Sequence, residues 1–169
     1  MSKTKLKTTQ VTEIDGHYQF QNAPSRQEII DLALDLQFKN LQAQPIMTNP
    51  TDVKNYFRIR LAENKNEVFS VMFLTSKHQI IDCIDMFTGS IDHAQVSVRA
   101  IVMEVLRLNA AAIIVAHNHP SGIPDPSSAD RSLTETISTA MGLISVRLLD
   151  HIVVGDGCSV SLAELGSIG

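Results

Sequence analysis

The chain has 169 residues, 44% of them hydrophobic, and a formal net charge of −4. That length suits one domain with a short N-terminal extension, and the apolar fraction is ample for a single core. The acidic balance argues against direct, charge-driven attachment to nucleic acid, and no stretch approaches the about 18 consecutive apolar residues of a membrane span.

Residues 1 to about 24 lack sustained periodicity and read as a loose arm, in which Lys3, Lys5 and Lys7 form a local basic run. The basic start has no apolar stretch of the signal-peptide kind behind it, so a cytoplasmic location is expected. Ser25-Arg-Gln-Glu28 is a capping-box pattern, and Ile29, Ile30, Ala33, Leu34 and Phe38 recur at helical spacing, predicting a helix over 25–39. Residues 1–45 are therefore an N-terminal extension with one helix, and 46–169 the main domain. Asn49-Pro50 predicts an N-cap followed by proline at the first helical position. Val53, Tyr56, Phe57 and Leu61 supply the apolar face of that helix.

From Glu67 the texture changes. Glu67 to Leu74 is rich in β-formers and predicts a central strand, and 79–85 predicts a second, with Thr75-Ser-Lys-His78 as the turn and a bend at 88–90. A helix over 95–109, a buried strand over 111–116, a helix over 128–141 and a strand from Arg147 to Val154 follow. The chain then turns at Gly155-Asp-Gly157 into a short strand at 158–161. This order predicts a mixed α/β sandwich around one sheet. Neither the dinucleotide-binding glycine fingerprint nor a Walker A loop is present. Cys83 and Cys158 lack Cys-x-x-Cys spacing and read as buried, inert thiols.

The chemistry gathers after the apolar run that ends at Ala116. His117 and His119 are two residues apart, so an extended backbone puts both imidazoles on one side. Pro120, Gly122, Pro124 and Pro126 stiffen the loop that follows, and Asp130 offers a carboxylate beyond it. Two histidines and one aspartate make the three-ligand set of a catalytic zinc, with the fourth position left for water. Ser127 and Asp130 have a second reading as a helix cap and first-turn acid, and the two roles are compatible. Such a metal site also needs a general base, for which Glu63, Glu67 and Glu104 are candidates. Glu104 sits on an amphipathic helix and is accounted for by solvent. Glu67 opens an apolar strand, where it faces either a cleft or simply water. His17, His78, His93 and His151 read as structural histidines.

His117-x-His119, seven residues, Ser127, two residues and Asp130, with a glutamate upstream, resembles the JAMM signature of MPN-domain metalloproteases. The stretches Asn109 to Gly122, Leu149 to Val154 and Ser161 to Gly166 resemble the bacterial RadC-like branch, over about Ile46 to Gly169. The resemblance implies the α/β/α MPN sandwich, cytidine-deaminase-like, around a curved mixed sheet. It also implies one Zn2+ per chain on His117, His119 and Asp130, Glu67 as general base, and Ser127 as hydrogen-bond donor to the developing oxyanion. The activity implied is hydrolysis of amide bonds in a protein or peptide substrate. Two departures stand out. Longer RadC proteins carry an N-terminal helix-hairpin-helix region, which residues 1–45 do not contain, so a shortened form is expected. Where the family usually has proline and glutamate around Arg99, this chain has Val98 and Ala100. The rival readings are an accessory factor in DNA repair or recombination, and a non-enzymatic MPN scaffold with a structural metal. A deaminase is disfavoured because no Pro-Cys-x-x-Cys run occurs. The natural substrate and the oligomeric state are not legible in the sequence.

Overall fold

The computed structural model describes residues 11–44, 49–89 and 96–168. Part of the supposed loose arm is a hairpin: β1 (Val11–Ile14) pairs antiparallel with β2 (His17–Phe20). The turn residues Asp15 and Gly16 both adopt positive φ, 50° and 78°, as a two-residue hairpin turn of the Asp-Gly kind requires. Four-residue strands are too short for periodicity to reveal, so that dipeptide was the available signal. Lys3, Lys5, Lys7 and His93 lie outside the described residues.

The helix α1 (Arg26–Ala43) starts at the Ser25–Glu28 capping box and runs beyond its predicted end at 39. Its Leu41 is buried in one cluster with Val53, Tyr56, Phe57 and Leu61 of α2 (Pro50–Leu61). Asn49 caps α2 by accepting from Thr51 N at 3.0 Å. The strand β3 (Glu67–Leu74) has its predicted bounds, whereas β4 (Ile80–Gly89) extends past the predicted end at Asp85 and through the start of the expected bend. Pairing explains the extension: β3 carries the ladder on to Val68↔Thr88 and Glu67↔Gly89.

After α3 (Val98–Leu108) come β5 (Ala112–Asn118), α4 (Ser128–Leu143), β6 (Arg147–Val154) and β7 (Ser159–Ser161). The five-stranded sheet is ordered β4-β3-β5-β6-β7, with β5 and β6 parallel and the other neighbours antiparallel. Helices cover both faces. One buried cluster joins α1 and α2 to Val68, Met72, Ile114 and Ile152. The other joins Ile101 and Val105 of α3 and Ile137 and Met141 of α4 to Phe69, Val71, Ile113 and Val115. The fold is thus a mixed α/β fold of the MPN type, with the sheet between two helical layers.

One irregularity in the sheet matters for the site. The β5–β6 register shifts between Ile113↔Leu148 and Ile114↔Asp150. Such a bulge interrupts the period-two alternation. Leu148 packs in the α3/α4 cluster, Leu149 and Ile152 pack on the α1/α2 side, and His151 is returned to the face that carries His117.

Of the cysteines, Cys83 packs against the α1/α2 cluster, and burial pushes its thiol up to about 12. Cys158 is exposed, contrary to expectation, because the Gly155–Gly157 turn carries it to the surface. Among the described residues, no helix is long and apolar enough to cross a membrane.

Candidate metal centre

β5 is buried along its whole length between β3 and β6. Ile113 and Val115 point into the α3/α4 cluster, and alternation puts His117 next in the same row. Its ring is 1% exposed and lies nearly parallel to Phe69, with centroids 6.2 Å apart. His119 follows as the chain leaves the sheet and is partly open to solvent. Asp130 arrives from the first turn of α4.

The three side chains converge. His117 Nε2 lies 3.0 Å from His119 Nε2 and 3.3 Å from Asp130 Oδ1, and His119 Nε2 lies 3.4 Å from Asp130 Oδ2. One ligand-type atom from each falls within 4.8 Å of the others.

The surroundings decide which lone pairs face inward. Thr134 Oγ1 donates its single proton to the Asp130 carbonyl at 2.6 Å, so it accepts from His151 Nδ1, also at 2.6 Å. Burial, reinforced by repulsion from His117, pushes His151 down to about 3 and keeps it neutral. A neutral ring that donates from Nδ1 has a bare Nε2, and this accepts from His117 Nδ1 at 2.8 Å. His117 Nε2 is then bare when that ring is neutral. The tautomers are inferred from this network. His119 Nδ1 donates to the Ile123 carbonyl at 2.8 Å, which leaves its Nε2 bare too.

Two bare nitrogens 3.0 Å apart beside a carboxylate are mutually repulsive until a cation sits among them. Burial works to raise the Asp130 carboxyl, but a protonated His117 and the hydrogen bonds from Ser127 outweigh it and hold the group well below the usual carboxylate range, and a cation would take the place of that His117 proton. The residues therefore fit a divalent metal held by two imidazoles and a carboxylate. The carbonyl and histidine that accept from the two ligand rings are the outer partners such sites use.

The loop after His119 is anchored by its backbone. His119 N donates to Val154 O at 2.8 Å, Gly122 N to His119 O at 2.9 Å, and Asp156 N to Gly122 O at 2.8 Å. Gly155 permits this approach, since a Cβ there would lie 2.4 Å from Gly122 O.

Ser127 and Asp130 form a reciprocal capping box. Asp130 Oδ2 accepts from Ser127 N at 2.7 Å and from Ser127 Oγ at 2.6 Å, while Asp130 N donates to Ser127 Oγ at 3.1 Å. One carboxylate therefore caps α4 and at the same time faces the two histidines. Ser127 is exposed beside them, with its proton engaged on Asp130.

Glu67 stands at the start of β3. The β3–β5 register ends at Phe69↔His117, and alternation along β3 puts Glu67, two residues beyond that last pair, on the same face as Phe69 and His117. Among the described residues the Glu67 side chain has no hydrogen-bond or ion-pair partner, and the residue is half-buried. The other candidate bases are engaged elsewhere, Glu63 with Arg26 at 2.5 Å and Glu104 with Arg107.

Sequence reasoning did not foresee the part played by His151 and Thr134, or by Asn118. His151 is structural, as read, but what it structures is a candidate ligand. Nothing local to residue 151 signals this, because the contact depends on the β5–β6 bulge. A cleft of about 250 Å³ opens beside His119, lined by Asn64, Pro120, Ser121 and Asp156 among others. Ala62 and Gly155 line both this cleft and a groove of about 770 Å³ between α1 and α2. A separate cavity of about 210 Å³, lined by Val53, Ile114 and Ile152, also lies on the α1/α2 side of the sheet.

Residues 47–167 match the family profile of the RadC-like JAB domain. The chain belongs to this family. It is 45% identical over 137 residues to a UPF0758 protein of Xanthomonas campestris pv. campestris (strain 8004), covering 81% of this chain and 61% of that one. A UPF0758 protein of Shewanella amazonensis is 47% identical over 139 residues, 82% of this chain and 62% of its own. One from Shewanella baltica (strain OS155) is 46% identical over 142 residues, 84% and 63% respectively. The chain thus spans about six-tenths of the length of these relatives.

Proposed function

We propose that this RadC-like chain is a zinc-dependent hydrolase of amide bonds, peptide or isopeptide, acting in the cytoplasm on a protein or peptide substrate. The observation that carries the reading is the convergence of two bare imidazole nitrogens and one carboxylate, with Glu67 two residues beyond Phe69, the partner of His117 in the sheet. Three protein ligands rather than four leave a position for chemistry.

When bound by His117, His119 and Asp130, Zn2+ supplies Lewis acidity and lowers the pKa of an attacking water. Glu67 would take the proton of that water as the new C–O bond forms and later deliver it to the amine nitrogen, whose protonation lets the amide C–N bond break. Ser127 donates a hydrogen bond to the carbonyl oxygen as negative charge develops there. To do so its hydroxyl exchanges Asp130 Oδ2 for the substrate oxygen, a rotation that its exposed position permits. His151 and Thr134 hold His117 in the ligating tautomer throughout. The cleft beside His119 and the α1–α2 groove, which share Ala62 and Gly155, would together offer an extended chain a path towards His119.

Glu67→Gln and Glu67→Ala are expected to retain zinc and the fold while losing turnover on peptide and isopeptide substrates. Wild-type turnover in either variant would remove Glu67 from the mechanism.

A further inference from the structure

Asn118 stands between the two histidines, and its side chain is on the opposite face of the strand. It is 3% exposed, and its amide is used in three directions. Oδ1 accepts from Val68 N at 2.8 Å, while Nδ2 donates to Asn66 O at 3.1 Å and to Asn64 O at 3.0 Å. Two of these contacts fall on the residues immediately before and after Glu67. The last main-chain pair between β3 and β5 is Phe69↔His117. One position further on, where Val68 would face Asn118, the side-chain amide takes over the connection. The loop from α2 into β3 is thereby tied to the same three residues that supply both histidines.

We propose that Asn118 is the positioning residue for Glu67, fixing the strand start that carries the base relative to His117 and His119. The inference rests on Glu67 being the general base. Its physical basis is register. Glu67 comes off a strand end whose loop leads from α2, and a strand end without cross-links frays. A base needs placement within a fraction of an ångström to meet the proton it takes. Alternation lets residues 117–119 do both tasks, ligation on one face and clamping on the other. Asparagine suits the position because it offers an acceptor for Val68 N–H and two donors for the two carbonyls; aspartate has no such donors and leucine has neither kind of group.

The test uses the full chain loaded with Co2+ in place of zinc and compares wild type, Glu67→Gln, Asn118→Ala and the volume-filling Asn118→Leu. Three quantities are read: metal content, hydrogen exchange of the Val68 amide, and the pH midpoint of the cobalt visible spectrum. Both Asn118 variants are expected to keep one metal per chain. Exchange at Val68 should rise about fivefold or more, as one net hydrogen bond is lost, and the spectral midpoint should move in the direction that Glu67→Gln moves it. A purely structural asparagine would change the exchange and leave the midpoint alone. A midpoint shift in Glu67→Gln but in neither metal-loaded Asn118 variant overturns the positioning role and leaves the base in place. No shift in Glu67→Gln itself overturns the base, and the positioning role with it. Should Asn118→Ala fail to fold, Asn118→Leu carries the comparison; failure of both, with Glu67→Gln intact, would make Asn118 a folding determinant and overturn the proposal.

Discussion

The two histidines are held in different ways. His117 is fully buried, stacked on Phe69, and oriented by side chains from two other elements, His151 on β6 and Thr134 on α4. His119 is partly exposed and oriented by a main-chain carbonyl four residues along its own loop. Both arrangements reach the same chemical end, a donating Nδ1 and a bare Nε2. The buried route relies on the sheet register and on a bulge; the exposed route relies on prolines and on a glycine that lets the loop lie against the β6–β7 turn. The His117 side is therefore sensitive to core substitutions far away in sequence, and the His119 side to local backbone strain.

The comparison can be broken first at His151. Replacing it by leucine keeps the volume but leaves His117 Nδ1 without its acceptor. Zinc affinity should fall about 10- to 100-fold, the usual effect of losing an outer partner of a ligating histidine, as read by competition with a chromophoric chelator. Unchanged affinity would mean that the buried relay does not govern the site.

Gly155→Ala attacks the other side. Its Cβ would meet Gly122 O at 2.4 Å and Pro124 Cδ at 2.8 Å, so the loop must move. Overpacking of this kind costs about 1–3 kcal/mol, and denaturant unfolding would read it. Zinc affinity should fall in parallel, since Ile123 moves with the loop; a stability loss with unaltered affinity would show that His119 does not need that carbonyl.

Thr134→Val is a gentler change on the buried side. It removes one hydroxyl and leaves His151 Nδ1 unpaired, at about 1–3 kcal/mol for a buried donor. The effect should appear in NMR signals of the His117 and His151 rings and spare those of His119. Equal perturbation of all three rings would dissolve the distinction between the two routes.

Smallest is Ser127→Ala, which removes the cap of α4 at about 1 kcal/mol. Metal content should persist while turnover falls. Simultaneous loss of metal would mean that the capping box, rather than the fold, places Asp130.

Much of this was legible locally. Glu67–Leu74 and Arg147–Val154 stand as strands with their predicted bounds, because their runs of β-formers are long and sharply bordered. The capping box at Ser25 and the helix cap at Ser127 read directly, and His117, His119 and Asp130, grouped from their spacing, do lie together. What escaped depends on partners far along the chain. The continuation of β4 to Gly89 follows from β3, and the contacts of Asn118 reach back 50 residues or more. His151 reaches His117 across 34 residues and only because of a one-residue register shift. The β1–β2 hairpin is a different kind of miss: its Asp15-Gly16 signal was present, but strands of four residues give periodicity too little to work with.

The most direct test of the account is elemental analysis of the purified chain, with His117→Ala/His119→Ala as its control. The account predicts close to one zinc per chain in the wild type and none in the variant. A wild type that is metal-free and also fails to take up added zinc would contradict it.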